Sequence, residues 1–421
     1  MGVGSEGTAN GSLSYTDVAT GASLFLMLVF ATSTVFVREA WALQSFQVGV
    51  YAVLTMYLLA GIRRKSELSS EGWLSWLVYL TPLWGAGQIL AHTTSSSFET
   101  RQAVLKWGAL ACVFFLSQAT ARSKTARQYF LNAFLWFASC MALLCLTQLF
   151  TSHGLVLWMF PTGYPDVYAT FPNQNNYVQF VELALPIALW KAIRAGWRAW
   201  WYPLAAGILY ASAIGSASRA GAALCTAEVL IILGMELVRL RRSKGSIFSR
   251  PALAILVAVL VIVAVLTFAV GWQRLSDRFR TIHPDLTREA FLIAAVKMAE
   301  HRPLTGFGLG TFPKVYQSYA VRDFSFYANH AHNDWAEFAA DGGIPFLLLV
   351  LIPFAAAVPS SIRHPWALGL IAIMLHACVD YPFPRPAVSG WMYALLGALY
   401  VEQISGNRAS RILAHTSDAD I

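Results

Sequence analysis

Asn329-His330-Ala331-His332-Asn333-Asp334-Trp335, and one residue later Glu337-Phe338-Ala339-Ala340-Asp341-Gly342-Gly343, lead without a break into the uncharged apolar run 344–358. Two imidazoles, several carboxylates and carboxamides and a double glycine are thus gathered at the edge of a segment suited to lipid. That juxtaposition decides the fold, because the apolar run is typical of the chain. Of 421 residues 57% are hydrophobic and 12% charged, with a mean hydropathy of +0.53. A soluble domain carries roughly 25% charged residues. The expected class is an all-α integral membrane protein. At roughly 20 residues per span, about a dozen spans would use most of this length and leave little for a soluble domain.

Outward from residue 344, twelve apolar runs can be marked: 20–37, 45–62, 73–91, 103–120, 129–152, 176–193, 200–215, 221–238, 251–271, 335–358, 365–380 and 387–404. Residues 1–19 are polar and rich in Gly and Ser, with no basic region and no small-residue cleavage site, so they read as a disordered tail rather than a signal peptide. Residues 20–404 then form one polytopic domain, and 405–421 a second tail. All five cysteines (Cys112, Cys140, Cys145, Cys225, Cys378) fall in apolar runs, where a free thiol behaves as a small hydrophobe. Neither a disulfide framework nor a zinc site is expected.

With the N-terminus inside the cell, seventeen Lys and Arg fall in inner loops and the C-terminal tail, against five in the short outer segments. The positive-inside rule, which applies to short loops, therefore places both termini in the cytoplasm and the long segment 272–334 outside. That segment carries Arg274, Arg278, Arg280, Arg288 and Arg302. Within it, Arg288 to His301 has helical composition, with Asp285 or Thr287 as a cap and Pro303 closing it. Phe291, Leu292, Ala295, Val296 and Met298 recur at helical spacing, as in an amphipathic helix lying against the membrane domain or in the membrane interface. Gly306-Phe307-Gly308-Leu309-Gly310 follows no strand, so it reads as close backbone packing or a turn rather than a phosphate loop.

Two further outer connections stand out. One ends Phe171-Pro172-Asn173-Gln174-Asn175-Asn176-Tyr177. Its carboxamides suit sugar hydroxyls, and equally suit turns and helix caps. The other, Ser216-Ala217-Ser218-Arg219-Ala220-Gly221, holds one arginine among small neighbours that give its stem little to lie on. Within the spans, Glu182, Glu228, Glu236 and Asp380 are costly in lipid and are functional candidates, with arginine pairing as the structural alternative.

His330-Ala331-His332-Asn333-Asp334 matches the opening of a His-x-His-x-Asp metal motif. That motif needs a soluble αββα domain and another His directly after the Asp, where this chain has Trp335. The alternative is an imidazole acting as general base at the mouth of a membrane cavity, since imidazoles titrate near neutral pH. Loss of a diphosphate leaving group requires its charge to be neutralised by a metal held on carboxylates or by arginines. No outer Asp-x-Asp pair is present, which points to Arg219 and Arg288, a lipid-linked donor and His332 as base.

Taken together, His332-Asn333 with Gly343, the Ser218–Gly221 and Phe171–Asn175 stretches, Arg302-Pro303-Leu304-Thr305-Gly306-Phe307-Gly308 and the twelve-span layout resemble the O-antigen ligase and polymerase superfamily. The ligase version has a second glycine where this chain has Phe346. The resemblance implies a GT-C-like, inverting membrane glycosyltransferase that needs no metal or other cofactor. Its donor would be an undecaprenyl-diphosphate-linked glycan and its acceptor lipid A core (ligase) or another glycan (polymerase), at the periplasmic face of the bacterial inner membrane. His332 takes the role of base, and Arg219 and Arg288 bind diphosphate. Asn333 and Asp334 are orienting neighbours, Asn173 and Asn175 support substrate, and His330 is the control. The lipid bilayer is a partner and nucleic acid is not. A transporter or flippase for a lipid-linked substrate is the competing class; it predicts matching Gly/Pro-broken repeats, and the two halves of this chain differ.

Overall fold

In an apolar medium a segment must satisfy its own backbone N–H and C=O groups, which is why the apolar runs become helices. The computed structural model describes residues 15–64, 72–195, 199–242, 286–322, 324 and 327–419, with 261, 265 and 276 as isolated positions. In chain order the helices are α1 (Tyr15–Ser33), α2 (Ala40–Arg64), α3 (Leu74–Leu90), α4 (Ser97–Ala121), α5 (Lys124–Thr151), α6 (Gln174–Ala195), α7 (Trp201–Gly215) and α8 (Arg219–Arg242). There follow α9 (Leu286–His301), α10 (Asp334–Arg363), α11 (Gly369–His376) and α12 (Pro386–Ala419). A two-residue hairpin, Leu155–Val156 against Phe160–Pro161, sits between α5 and α6.

Among the described residues six helices are long and apolar enough to cross a membrane: Tyr15–Ser33, Ala40–Ile62, Ser97–Ala121, Lys124–Thr151, Arg219–Arg239 and Asp334–Arg363. Apart from 261 and 265, the expected run 251–271 lies outside the described residues, as do the possible cap Asp285 and Arg274, Arg278 and Arg280. At the ends the helices outrun the expected tails, since α1 begins at Tyr15 and α12 continues to Ala419.

The centre of the bundle is α6, buried on every side from Asn176 to Leu189. A helix without a polar face belongs inside. It packs against α5, α7, α8, α11 and α12. Beside it Trp391 of α12 stacks on Phe134 of α5 with centroids 4.2 Å apart, and its indole N–H donates to Thr32 Oγ1 at 2.9 Å. A second aromatic cluster joins Trp107 of α4 to Phe338 and Phe346 of α10 and to Phe383. Aromatic pairs of this kind add about 0.5–1.5 kcal/mol each beyond the area they bury.

The helix after the opening stretch is broken in two. Gly343 has φ 72° and ψ 175° inside α10, so the helix ends one segment at Gly342 and restarts at Ile344, whose N–H donates to Pro303 O at 2.7 Å. A Cβ at Gly343 would lie 2.7 Å from the Leu304 carbonyl carbon and oxygen, and left-handed φ is strained for any side chain. Into this notch fits the 306–310 loop. The Phe307 and Gly308 N–H groups donate to Ala340 O (3.0 Å) and Asp341 O (2.8 Å). Those of Leu309 and Gly310 donate to Gln88 Oε1 (3.0 Å) and Asp341 Oδ2 (2.7 Å). Four consecutive amides thus bond to protein, as close backbone packing requires.

Ahead of that loop, α9 starts two residues before the expected Arg288 and buries Ala290, Phe291, Ala294, Ala295 and Met298. Phe307, Phe312, Tyr316 and Ala340 complete the same cluster. The apolar face is therefore a contact with α10 and the following turns. Of the residues expected on it, Val296 is exposed and Leu292 lines a cavity.

Candidate active site

At one end of the bundle the first turns of α6, α8 and α10 meet one wall of α9 and the C-terminal end of α11. They enclose a cavity of about 560 Å³ whose lining includes Asn175, Arg219, Arg288, His332, Asn333 and His376. Five of the expected site residues, far apart in the chain, are thereby brought to one place.

His332 enters through an unusual backbone. Its φ is 53°, left-handed without being glycine, which costs about 1–2 kcal/mol. Nδ1 lies 3.2 Å from Asp380 Oδ1, an oxygen that also accepts the Tyr381 N–H at 3.0 Å. The ring is flanked by Phe291 and Tyr381. With a carboxylate acceptor on Nδ1, this network assigns the ring proton there and leaves Nε2 as the lone-pair nitrogen. Asp380 itself sits in the connection 377–385 and is 1% exposed. Burial pushes its carboxyl up; the His332 hydrogen bond and then the charge of the neighbouring Arg288 lead the contributions that outweigh this and hold it below the ordinary carboxylate range.

His330, two residues earlier, is turned elsewhere. Its Nδ1 pairs with Glu337 Oε1 at 3.0 Å, Glu337 Oε2 accepts the Ala331 N–H at 2.7 Å, and the ring stacks on Tyr381. Asp334 Oδ2 accepts the Phe383 N–H at 3.0 Å, so the side chain is buried in the bundle and does not line the cavity. The three members of the His-x-His-x-Asp pattern therefore have three different partners. Among the described residues, no group of three or more His, Cys, Asp or Glu is placed to hold a metal.

Asn333 lines the cavity while capping α10: its Oδ1 accepts the Ala336 N–H (3.0 Å) and its Nδ2 donates to Cys378 O (2.8 Å). Asn173 caps α6, accepting the Asn175 N–H at 2.7 Å, and stands outside the lining. Asn175 does face the cavity, with its Oδ1 taken by the Ser218 hydroxyl at 2.8 Å. The same hydroxyl accepts the Gly221 N–H at 3.3 Å and so caps α8. This bridge ties the starts of α6 and α8, and Gly221 lets them close, since a Cβ there would run into the Val178 side chain.

Arg219 is thereby fixed at the first residue of α8, where helix N-terminal amides also favour anions. Among the described residues it has no hydrogen-bond or ion-pair partner. Arg288, on α9, donates from Nη1 to Val379 O at 2.9 Å and lines the same cavity. Two guanidinium groups thus flank a space that His332 also faces.

Asp380 and His376 were missed as members of this group. Asp380 carried one signal in the sequence, a carboxylate expensive in lipid, and His376 carried none beyond its rarity in an apolar run.

Comparison with curated proteins and with solved structures gives no match. A family model described as O-antigen ligase matches residues 204–351, which include Arg219, Arg288, His332 and Asn333. The match covers about a third of the chain, and over that segment the protein is similar to the O-antigen ligase family.

Proposed function

We propose that the protein is a GT-C-like, inverting glycosyltransferase that moves a glycan from undecaprenyl diphosphate to an acceptor sugar at the periplasmic face of the bacterial inner membrane. One observation carries this reading: His332, backed by Asp380, shares a cavity with Arg219 and Arg288. In the reaction the acceptor hydroxyl oxygen attacks the anomeric carbon while its proton passes to His332 Nε2. The bond from that carbon to the diphosphate oxygen breaks with inversion, and undecaprenyl diphosphate leaves. Asp380 holds the imidazole in the accepting tautomer and stabilises the imidazolium that forms. Arg219 and Arg288 neutralise the charge that grows on the diphosphate, the task a divalent metal performs in many transferases.

The test is transfer in vitro from lipid-linked glycan by purified protein, with and without chelator. Activity that survives chelator and disappears in His332→Ala is expected. Activity abolished by chelator would overturn the role given to the arginines. A deletion strain identifies the acceptor: loss of a ligase leaves long glycan on the lipid carrier, and loss of a polymerase leaves core bearing a single repeat.

A further inference from the structure

A second histidine–carboxylate pair lies at the wall of the same cavity. His376, the last residue of α11, lines it, and its Nδ1 is 2.7 Å from Glu182 Oε1 on α6. Both residues are almost wholly enclosed, at 1% and 0% exposure. Among the described residues, His376 Nε2 and Glu182 Oε2 have no hydrogen-bond partner. A buried ring nitrogen without a partner is uncommon in a folded protein, because it forfeits its water without replacement.

The protonation of the pair follows from its surroundings. With one proton between them, ionised Glu182 and neutral His376 would bury a net negative charge. Glu228, enclosed nearby with both carboxyl oxygens unpartnered, supplies no positive charge to compensate it. With two protons the pair is neutral overall, whether written as carboxylate and imidazolium or as carboxylic acid and imidazole. In both forms Nδ1 is engaged with Glu182 and Nε2 carries a hydrogen. The second pair is therefore arranged to donate, where His332 is arranged to accept.

We infer that His376 donates a hydrogen bond from Nε2 to the diphosphate of the lipid-linked donor, beside Arg219 and Arg288. This rests on the proposed function, which supplies the diphosphate. It gives the lining a division of labour: His332 takes the proton from the acceptor hydroxyl, and His376 helps bind the leaving group from the bundle side. The alternative is a staple between α6 and α11 with no ligand role, which would affect stability and leave affinity alone.

The experiment measures equilibrium binding of undecaprenyl diphosphate, and of inorganic pyrophosphate, to the full chain in lipid nanodiscs, with melting temperature recorded in parallel. His376→Leu is expected to weaken both by about tenfold, the loss of one hydrogen bond to a charged group. His376→Gln restores a side-chain N–H, recovers part of the loss, and serves if the Leu variant does not fold. Glu182→Gln can donate its amide to Nδ1 and leave the Nε2 hydrogen in place, so it binds within about twofold of wild type. Unchanged affinity in His376→Leu, with or without a lower melting temperature, overturns the inference and leaves the proposed function standing. Weakening for the lipid alone overturns the contact with diphosphate, and Glu182→Gln as damaging as His376→Leu overturns the neutral pair. Wild-type protein that binds neither probe overturns the donor assignment, and this inference with it.

Discussion

His332 is one of a pair of histidines that both touch Tyr381 and both pair Nδ1 with a buried carboxylate, yet only one of them reaches the cavity. Its Nδ1 is held by Asp380 and the residue faces the cavity, whereas His330 is bound to Glu337 away from it. Replacing His332 by Ala should lower kcat of the transfer reaction by about 10²- to 10⁴-fold, the usual worth of a positioned base, with undecaprenyl diphosphate still bound. His330→Ala should cost melting temperature through the freed Glu337 and leave most of the activity. Equal losses of kcat in the two variants would sink the assignment. Asp380→Asn keeps an acceptor but removes the charge that stabilises an imidazolium, and should lower kcat with little change in KM. Because the folded state holds Asp380 below its ordinary range, its ionised form adds stability at pH above the unfolded value of about 3.9. That stability is lost as pH falls through the still lower folded value. The drop in melting temperature between pH 5 and the most acid pH tolerated should accordingly be shallower in Asp380→Asn. A sequence shows neighbours along the chain, so Asn333 and Asp334 read as orienting groups for His332. In the structure both have other partners, and the orienting carboxylate comes from the far side of α10 and α11, where only folding could bring it.

At the scale of elements, the cavity depends on how closely helices approach at their first turns. The Ser218-Arg219-Ala220-Gly221 stretch was legible as a feature; its physics is a cap, a cation and a gap in the helix surface. In Gly221→Ala the new methyl would overlap the Val178 side chain and push the start of α8 from α6. It should destabilise by about 1–3 kcal/mol, read by thermal melting, and should weaken undecaprenyl diphosphate binding in the fraction that folds, since Arg219 moves with the helix. Binding at full strength would show that the position of α8 does not set that of the guanidinium. Helix α9 was legible from its composition, but not which neighbour its apolar face meets. Periodicity marks a stripe to be buried; whether lipid or another helix covers it depends on a partner remote in the chain, here α10 and residues 307–316.

For the whole molecule, composition was enough to give an all-helical membrane protein, and loop charges gave its expected orientation. The cavity supplies a direct probe of that orientation. Cys378 is exposed and lines it. In a variant with the other four cysteines replaced by Ala, a membrane-impermeant maleimide should label Cys378 in cells with a permeabilised outer membrane and an intact inner one. Prior loading with lipid-linked donor should slow the labelling. Modification only after the inner membrane is opened would place the cavity on the cytoplasmic side. The central position of α6 was less legible, because 176–193 read as one apolar run among twelve although it carries Glu182 and Lys191. It tolerates them because other helices, rather than lipid, surround it.

The riveting of residues 306–310 into the break at Gly343 bears on how a bulky polysaccharide could reach His332. Four successive amides bonded to α3 and α10 bind this loop and both helices into a single rigid body. It can neither swing as a lid nor open as a hinge. Hydrogen–deuterium exchange should therefore find the amides of Phe307, Gly308, Leu309 and Gly310 among the slow ones.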